Sequence, residues 1–180
     1  QAVEFRIKAT AEKKAHDFEY RMIAADNSIV WLRDIVTVVI ENDKAVKLRG
    51  LTIDITERKA IEDALRKSDD NLKLAQKVAH IGSWHIDIQN NGLSWSDESY
   101  RMFGLPLNTP LTYEIFINIV HPEDRDYVDR NWKAALSKQP YDIEHRIIVE
   151  GTIKWVHEKA ELLFNDKGTP LSATGTVQDI

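Results

Sequence analysis

Residues 141–149 read Tyr141-Asp142-Ile143-Glu144-His145-Arg146-Ile147-Ile148-Val149. One set of alternating positions is apolar or aromatic and includes His145, whereas the other set is charged except for Ile148. A period of two is typical of a β-strand with one buried face. A short turn at 150–152 leads into a second predicted strand over about 153–164, and the turn signal at 165–168 leads into a third. The sequence therefore predicts a three-stranded antiparallel meander.

The same pattern occurs twice in the chain. Val3–Ile55 runs parallel to Val128–Ile180, and Asp17-Phe18-Glu19-Tyr20-Arg21 in the first copy matches Asp142-Ile143-Glu144-His145-Arg146 in the second. One additional residue in each copy keeps the remainder aligned. Self-similarity of this length indicates two copies of one structural unit.

Helices are predicted ahead of the strands in both copies, over Val3–Lys14 and over Pro122–Lys138. The second copy has further elements before its helix. They are a strand over Ile81–Ile88, a short strand starting at Leu93, a helix over Asp97–Phe103, and a helix over 113–120 with Thr112 as N-cap.

Residues 56–79 separate the copies and contain neither Gly nor Pro. Apolar or small residues recur there with 4-3-4-3-4 spacing, at Ile61, Leu65, Ser68, Leu72, Ala75 and Ala79. This heptad seam predicts a helix of about six turns. The helix either pairs with a second chain in a coiled coil or lies as an amphipathic helix on its own domain.

Composition excludes several classes of protein. A length of 180 residues allows one or two domains, and a net charge of −5 gives no basic surface for nucleic acid. No apolar run approaches the ~18 residues that span a bilayer, so we expect a cytoplasmic segment without membrane contact, whose parent protein could be anchored elsewhere. The absence of Cys excludes disulfides, Cys-ligated zinc and cysteinyl adducts.

Several stretches resemble the third sequence subfamily of the PAS domain. They are Ile81-Gly82-Ser83-Trp84, Leu93-Ser94-Trp95-Ser96-Asp97-Glu98, His121-Pro122-Glu123-Asp124-Arg125, the strand at 141–146, Trp155-Val156-His157-Glu158 and Gly175-Thr176-Val177-Gln178-Asp179-Ile180. Asp54-Ile55-Thr56-Glu57-Arg58-Lys59 looks like the exit signature of a preceding PAS domain. The resemblance covers essentially the whole chain.

This resemblance implies an α+β fold in which helices pack on one face of a five-stranded antiparallel sheet. Residues 1–55 are expected to form the C-terminal half of a first PAS domain, 56–79 a linker or signalling helix, and 80–180 a complete second PAS domain. The first copy lacks the first two strands, and three amphipathic strands alone leave an apolar face and an unpaired edge. We therefore expect Phe18–Asp54 to pack on another chain or to complete a module whose front half is absent from this sequence.

A pocket between sheet and helices holds a haem, a flavin, a small metabolite or nothing in this family. The predicted lining is drawn from Trp84, Ile86, Tyr100, Phe103, Phe116, His145, Ile147, Val156, Ala173 and Val177. Strand alternation indicates the strand members, and the resemblance places Val177 inward. Trp155 falls on the opposite alternation from Val156 and is expected to face a partner or the linker helix.

No cofactor is predicted. The iron-ligating His of haem-binding PAS domains lies on the long helix, whereas Glu123–Lys138 contains no His, and His121 is interpreted as a helix-entry residue. Light-oxygen-voltage domains need a Cys for their flavin adduct, which this sequence lacks. The alternatives are a haem and a non-covalent flavin stacked on Trp84, Trp95 and Trp155.

No metal site and no catalytic residues are predicted. His145 and His157 lie on neighbouring predicted strands without a third ligand at suitable spacing. The first copy has Tyr20 and Arg33 at these positions, so the shared scaffold does not require imidazole there.

The carboxylates have structural interpretations. Glu123 and Asp124 complement the dipole of the helix that they begin, and Glu144 and Glu158 are interpreted as part of a surface network between strands. No Gly-rich phosphate loop and no Ser-His-Asp order is found in the sequence.

A signal relay is predicted where each sheet ends. Asp54 is expected to pair with a nearby base such as Arg58, while Thr56 caps the helix, so that strain in the sheet reaches the helix directly. Asp179 is the counterpart of Asp54 in the second copy.

We therefore predict a sensory and signal-relay segment of a multi-PAS bacterial or archaeal protein, a sensor histidine kinase. It is expected to be a homodimer through the linker helix and the PAS surfaces, with a kinase or cyclase domain downstream. The alternatives are a ligand-free dimerisation scaffold and a regulatory segment of a diguanylate cyclase or phosphodiesterase.

Overall fold

A computed structural model of the protein describes residues 11–42 and 44–180. The chain divides into two compact units, residues 1–68 and 69–180. The helix predicted over Val3–Lys14 lies outside the described residues except for positions 11–14. None of the helices in the described ranges is long and apolar enough to cross a bilayer.

The first unit contains an antiparallel meander of three strands. They are β1 (His16–Ile23), β2 (Ile29–Glu41) and β3 (Lys44–Asp54), in the order β1-β2-β3. On the central strand, Asp34, Val36 and Val38 are buried and alternate with exposed neighbours, as a half-buried strand requires. Helix α1 (Thr56–Ala79) follows directly and runs across the boundary between the units.

Strand β3 is exposed along its whole length. Its apolar side chains include Leu48, Leu51 and Ile53, which are 42%, 59% and 37% exposed. Among the described residues only β2 pairs with β3, so its other edge presents free backbone groups.

The second unit contains a five-stranded antiparallel sheet with helices packed against it. Its elements are β4 (Ile81–Asp87), β5 (Gly92–Trp95), α2 (Asp97–Met102), α3 (Tyr113–Ile119), a 3₁₀ turn (Pro122–Asp124), α4 (Arg125–Ala135), β6 (Tyr141–Val149), β7 (Thr152–Phe164) and β8 (Pro170–Asp179). The strand order is β5-β4-β8-β7-β6. This architecture confirms the predicted fold class.

Local sequence explains where these elements begin and end. Thr112 Oγ1 accepts a hydrogen bond from the Ile115 amide at 3.2 Å, which caps α3. The Glu123 amide donates to Nδ1 of His121 at 3.3 Å, which agrees with His121 as a helix-entry residue. The β6–β7 turn places Glu150 and Gly151 at φ 50° and 78°, the left-handed geometry of a two-residue hairpin turn.

The predicted long helix is shorter than expected. A 3₁₀ turn precedes α4, which ends at Ala135. Lys138, the expected end, has a φ of 69° and is already part of the left-handed turn towards β6.

Candidate functional site

The second unit contains a cavity of about 270 Å³ between the sheet and the helices. Its lining is contributed by β4, β5, α3, α4, β6, β7 and the adjoining loops. The lining residues are Trp84, Ile86, Ile88, Asn91, Gly92, Leu93, Trp95, Thr112, Tyr113, Phe116, Trp132, Leu136, Tyr141 and Glu158. A concave, mostly apolar space with a few polar groups is the usual form of a small-molecule site, although typical pockets of ~300–1,000 Å³ are larger.

Three of the ten predicted pocket residues, Trp84, Ile86 and Phe116, line this cavity. The other seven do not line this cavity, because they fill the core beside it. These buried residues are Tyr100, Phe103, His145, Ile147, Val156, Ala173 and Val177. Inward alternation identifies the covered face of a strand, but it does not show which part of that face the helices leave open.

Aromatic rings form much of the cavity wall. Trp84, Trp132 and Tyr141 meet edge to face, with ring centroids 6.2 Å (Trp84–Trp132), 6.3 Å (Trp84–Tyr141) and 5.7 Å (Trp132–Tyr141) apart. The predicted lining does not include Trp132, which lies on α4, or Leu136, which follows this helix directly. Their spacing of four residues is the signal that would have placed them on one face of this helix.

A buried carboxylate lies in the wall of the cavity. Glu158 is only 2% exposed and accepts a hydrogen bond on Oε2 from the Tyr141 hydroxyl at 3.1 Å. Nε2 of His145, which is fully buried, lies 3.7 Å from the same oxygen. The sequence suggested that Glu158 belongs to a surface network with Glu144. The structure instead buries Glu158 in the cavity wall. It shares the inward alternation of Val156, two residues earlier on β7.

Burial keeps the tyrosine hydroxyls of this wall protonated. The pKa of Tyr141 is raised, first by desolvation and then by the neighbouring Glu158 charge. Desolvation, with a contribution from Asp129, also raises the pKa of Tyr113 to about 12. Tyr141 therefore acts as a hydrogen-bond donor to Glu158.

The two strand histidines face opposite sides of the sheet. His145 points into the core, whereas Nε2 of His157 lies 2.6 Å from Oδ1 of Asp142 on the outer face. They cannot share a ligand, and within residues 11–42 and 44–180 no group of three or more potential metal ligands is found. Trp155 is also on the outer face, 49% exposed and 5.8 Å from the Arg146 guanidinium, as its alternation indicated.

The exit of the first sheet joins strand and helix by hydrogen bonds. Oδ1 of Asp54 accepts from the Thr56 amide at 2.9 Å and from the Thr56 hydroxyl at 2.6 Å. The Trp31 amide on β2 donates to Thr56 Oγ1 at 2.9 Å, and the Ile55 amide donates to the Trp31 carbonyl at 2.9 Å. The bonds from Thr56 lower the pKa of Asp54.

The expected pairing of Asp54 with Arg58 is not found. Arg58 instead pairs with Glu19 on β1, and Lys59 reaches the same carboxylate at 2.8 Å. These two bases lower the pKa of Glu19 through hydrogen bonds and charge. Arg58 therefore links the first turn of α1 to β1, while Asp54 caps the helix.

The second sheet ends in the same way. The Ile180 amide donates to the Trp155 carbonyl at 3.1 Å, the counterpart of the Ile55–Trp31 bond. Asp179 is the last residue of β8, where Asp54 is the last of β3.

The family model of the PAS fold matches residues 92–177. The five-stranded unit is a PAS domain. It belongs to a family of sensory domains, as the sequence motifs indicated.

Curated relatives are signalling proteins. A blue-light-activated histidine kinase of Brucella ovis is 30% identical over 125 residues, which are 69% of this chain and 25% of that protein. An Escherichia coli protein named "Probable diguanylate cyclase DgcE" is 24% identical over 161 residues, 88% of this chain and 15% of that protein. The chain therefore spans a quarter or less of these relatives.

Solved structures share the PAS fold. A sensory box histidine kinase/response regulator from Burkholderia thailandensis superposes with a TM-score of 0.52 at 25% identity, over 61% of this chain and 83% of that one. The N-terminal domain of a diguanylate cyclase with a PAS/PAC sensor from Marinobacter aquaeolei gives a TM-score of 0.51 at 19% identity, over 55% and 94% of the chains.

Proposed function

We propose that the PAS domain senses a small molecule bound in its cavity and relays this state to the domains that follow it in a sensor histidine kinase. The observation that carries the proposal is the apolar, largely aromatic cavity with the buried Glu158 in its wall. A core that only supports dimerisation gains nothing from leaving such a space unfilled, because cavities destabilise.

The size of the cavity favours a small metabolite over haem or flavin. Its volume of about 270 Å³ lies below the range of ~300–1,000 Å³ that usually accommodates drug-sized ligands. Trp84 and Trp95 line it, but Trp155 is on the other face of the sheet and cannot stack on the same ligand. No catalytic role is proposed for this segment.

Filling the cavity should abolish ligand retention. Leu136→Trp adds bulk at the wall, so we expect the purified variant to lose any co-purifying small molecule while remaining folded. Leu163→Trp, at a position 61% exposed on β7, is the control and should behave as wild type. Native mass spectrometry and thermal unfolding measure both properties. Wild-type protein that carries no ligand, and whose melting temperature no metabolite in a library shifts, would instead favour the ligand-free scaffold.

The relay is proposed to pass through the hydroxyl of Thr56, which joins Trp31 on β2 to the cap of α1. Thr56→Val removes this hydroxyl and should destabilise the junction by about 1 kcal/mol. We expect faster hydrogen exchange at residues 57–60 and a weaker signal response in the parent protein. Thr37→Val, at an exposed position of β2, is the matched control. An unchanged response in Thr56→Val would rule out the relay.

Dimerisation is proposed through α1. The helix has no buried residue, and its seam residues Ile61, Leu65 and Leu72 are 61%, 71% and 58% exposed. A heptad seam of this kind is buried by a second copy in a coiled coil. The mass in solution, measured by sedimentation equilibrium, tests this assembly.

We also propose that the first unit is the C-terminal half of another PAS domain. The repeat equates β3 with β8, and in the second unit β8 pairs with β4 along the edge that β3 leaves free. Two further strands of the parent protein would complete the first sheet at this edge. Slow hydrogen exchange along β3 in the parent protein is the expected result.

The identity of the parent protein has two candidates. The Brucella relative supports a histidine kinase, and the Escherichia coli relative supports a diguanylate cyclase. The sequence that follows Ile180 in the parent protein distinguishes them.

A further inference from the structure

The two copies share a buried acid with polar neighbours. By the repeat, His16, Tyr20 and Asp34 of the first unit correspond to Tyr141, His145 and Glu158 of the second. His and Tyr exchange places between the copies, but the acid stays on the central strand of the meander. Asp34 and Glu158 are 7% and 2% exposed. Each accepts a hydrogen bond from the Tyr of its own copy, at 3.2 Å and 3.1 Å.

The second oxygen of each acid has a different environment. In the first copy, the Thr52 hydroxyl donates to Oδ1 of Asp34 at 2.6 Å, so both carboxylate oxygens are satisfied. In the second copy Val177 occupies the position of Thr52 and has no hydroxyl. Within the described part of the chain, Oε1 of Glu158 makes no hydrogen bond. Oε1 is not among the fully buried polar atoms that lack a partner, so it is accessible from the cavity that Glu158 lines, where a ligand can supply a donor or a positive charge.

The cavity that Glu158 lines is suited to a positive charge. Among the described residues of its wall, Glu158 is the only one of the Asp, Glu, Lys, Arg and His types. Around it stand the rings of Trp84, Trp132 and Tyr141, with Trp95, Tyr113 and Phe116 completing the wall. Aromatic faces attract cations, most strongly in a site from which water is excluded, and aromatic cages are a general solution for binding quaternary ammonium groups.

We propose that this cavity binds a small organic ammonium ion, with the charged nitrogen directed at Glu158 and its alkyl groups enclosed by the aromatic rings. The proposal rests on the proposed ligand-sensing function and names the ligand class. Only the second copy is built for such a ligand, because Thr52 already satisfies the acid of the first. The nearest competitor for the Glu158 charge is the imidazole of His145, whose Nε2 makes no hydrogen bond and lies 3.7 Å away.

Choline and 3,3-dimethylbutan-1-ol test the proposal as a matched pair. The two molecules have almost the same shape, but the alcohol carries carbon where choline carries the charged nitrogen. We expect titration of the 180-residue protein, followed by calorimetry and tryptophan fluorescence, to show at least tenfold tighter binding of choline, a difference of about 1.4 kcal/mol. Equal binding of the two would overturn the cation proposal while leaving the ligand-sensing function in place.

Two variants locate the effect. Glu158→Gln keeps the shape of the side chain and should weaken choline binding at least tenfold, with little change for the alcohol. Glu161→Gln, at an exposed position of the same strand, should bind both as wild type. If Glu158→Gln fails to fold, the comparison of the two ligands on wild-type protein still decides. Binding of neither ligand to wild type would overturn the cation proposal, whereas the native mass spectrum tests the sensing function separately.

Discussion

Gly175→Ala should lower the free energy of unfolding of the second unit by about 3 kcal/mol, the upper end of what overpacking usually costs. A Cβ at Gly175 would lie 2.4 Å and 2.5 Å from two ring atoms of Trp84 and 2.6 Å from the backbone oxygen of Lys159. Neither the strand backbone nor the enclosed indole can move away without disturbing the sheet. Because Trp84 also lines the cavity, ligand binding should be lost together with stability.

Chemical denaturation measures this effect, and two other glycines provide controls. Gly92→Ala should be close to neutral, since its nearest contact would be Cβ of Asp87 at 3.7 Å. Gly50, the counterpart of Gly175 in the first copy, would bring its Cβ to 3.1 Å from Val36 Cγ2. Gly50→Ala should therefore lower the free energy of unfolding less than Gly175→Ala does. A Gly175→Ala protein as stable as Gly92→Ala would show that the indole is not held against β8.

Asp124→Asn should remove part of the acid sensitivity of the second unit. Asp124 accepts from the Arg146 amide at 2.8 Å and from its guanidinium at 3.0 Å and 2.6 Å, which ties the helix start to β6. The hydrogen bonds and charge of Arg146 lower the pKa of Asp124 to about 2. Its role is thus the pairing with Arg146 more than the helix-dipole complement expected from sequence.

A depressed carboxyl pKa stabilises the fold above the pKa of the unfolded chain, near 4, and this contribution is lost as the pH falls towards 2. After allowance for solvent screening, we expect the free energy of unfolding of wild type to fall by about 1–2 kcal/mol through this group as the pH falls towards 2. Asp124→Asn should not show this part of the decline. Urea unfolding at pH 7, 4 and 2.5 measures it. Asp126→Asn, at an exposed acid two residues further along the chain, is the control. Parallel pH profiles for wild type and Asp124→Asn would contradict the assignment.

Much of the fold follows from local sequence. The alternation of residues 141–149, the turn at Glu150 and Gly151, and the cap at Thr112 each depend on a few neighbouring residues. The repeat and the motifs then fix the order of elements. The alternation with Val156 also indicates an inward position for Glu158. Glu was nevertheless predicted to lie at the surface, because Glu usually prefers solvent.

The partners of the exit segment were harder to predict. The cap of α1 is a local feature, because Asp54 accepts from the Thr56 amide two residues further on, whereas the partner of Arg58 is Glu19, 39 residues away on another strand. Long side chains reach several acids, and only the antiparallel pairing of β1 with β2 brings Glu19 to the start of α1.

The sequence by itself determined the strands, the helix between the two copies, the family resemblance and the alternation of the half-buried strands, because hydrophobic period and turn chemistry are local properties. The tertiary structure decided which buried residues meet a cavity and which pack into a closed core, because that depends on how α3 and α4 cross the sheet. It also decided that the acid on the central strand is satisfied by Thr52 in one copy and faces an aromatic cavity in the other. That difference arises from contacts between strands distant in sequence, and it is the feature from which we infer an ammonium ligand.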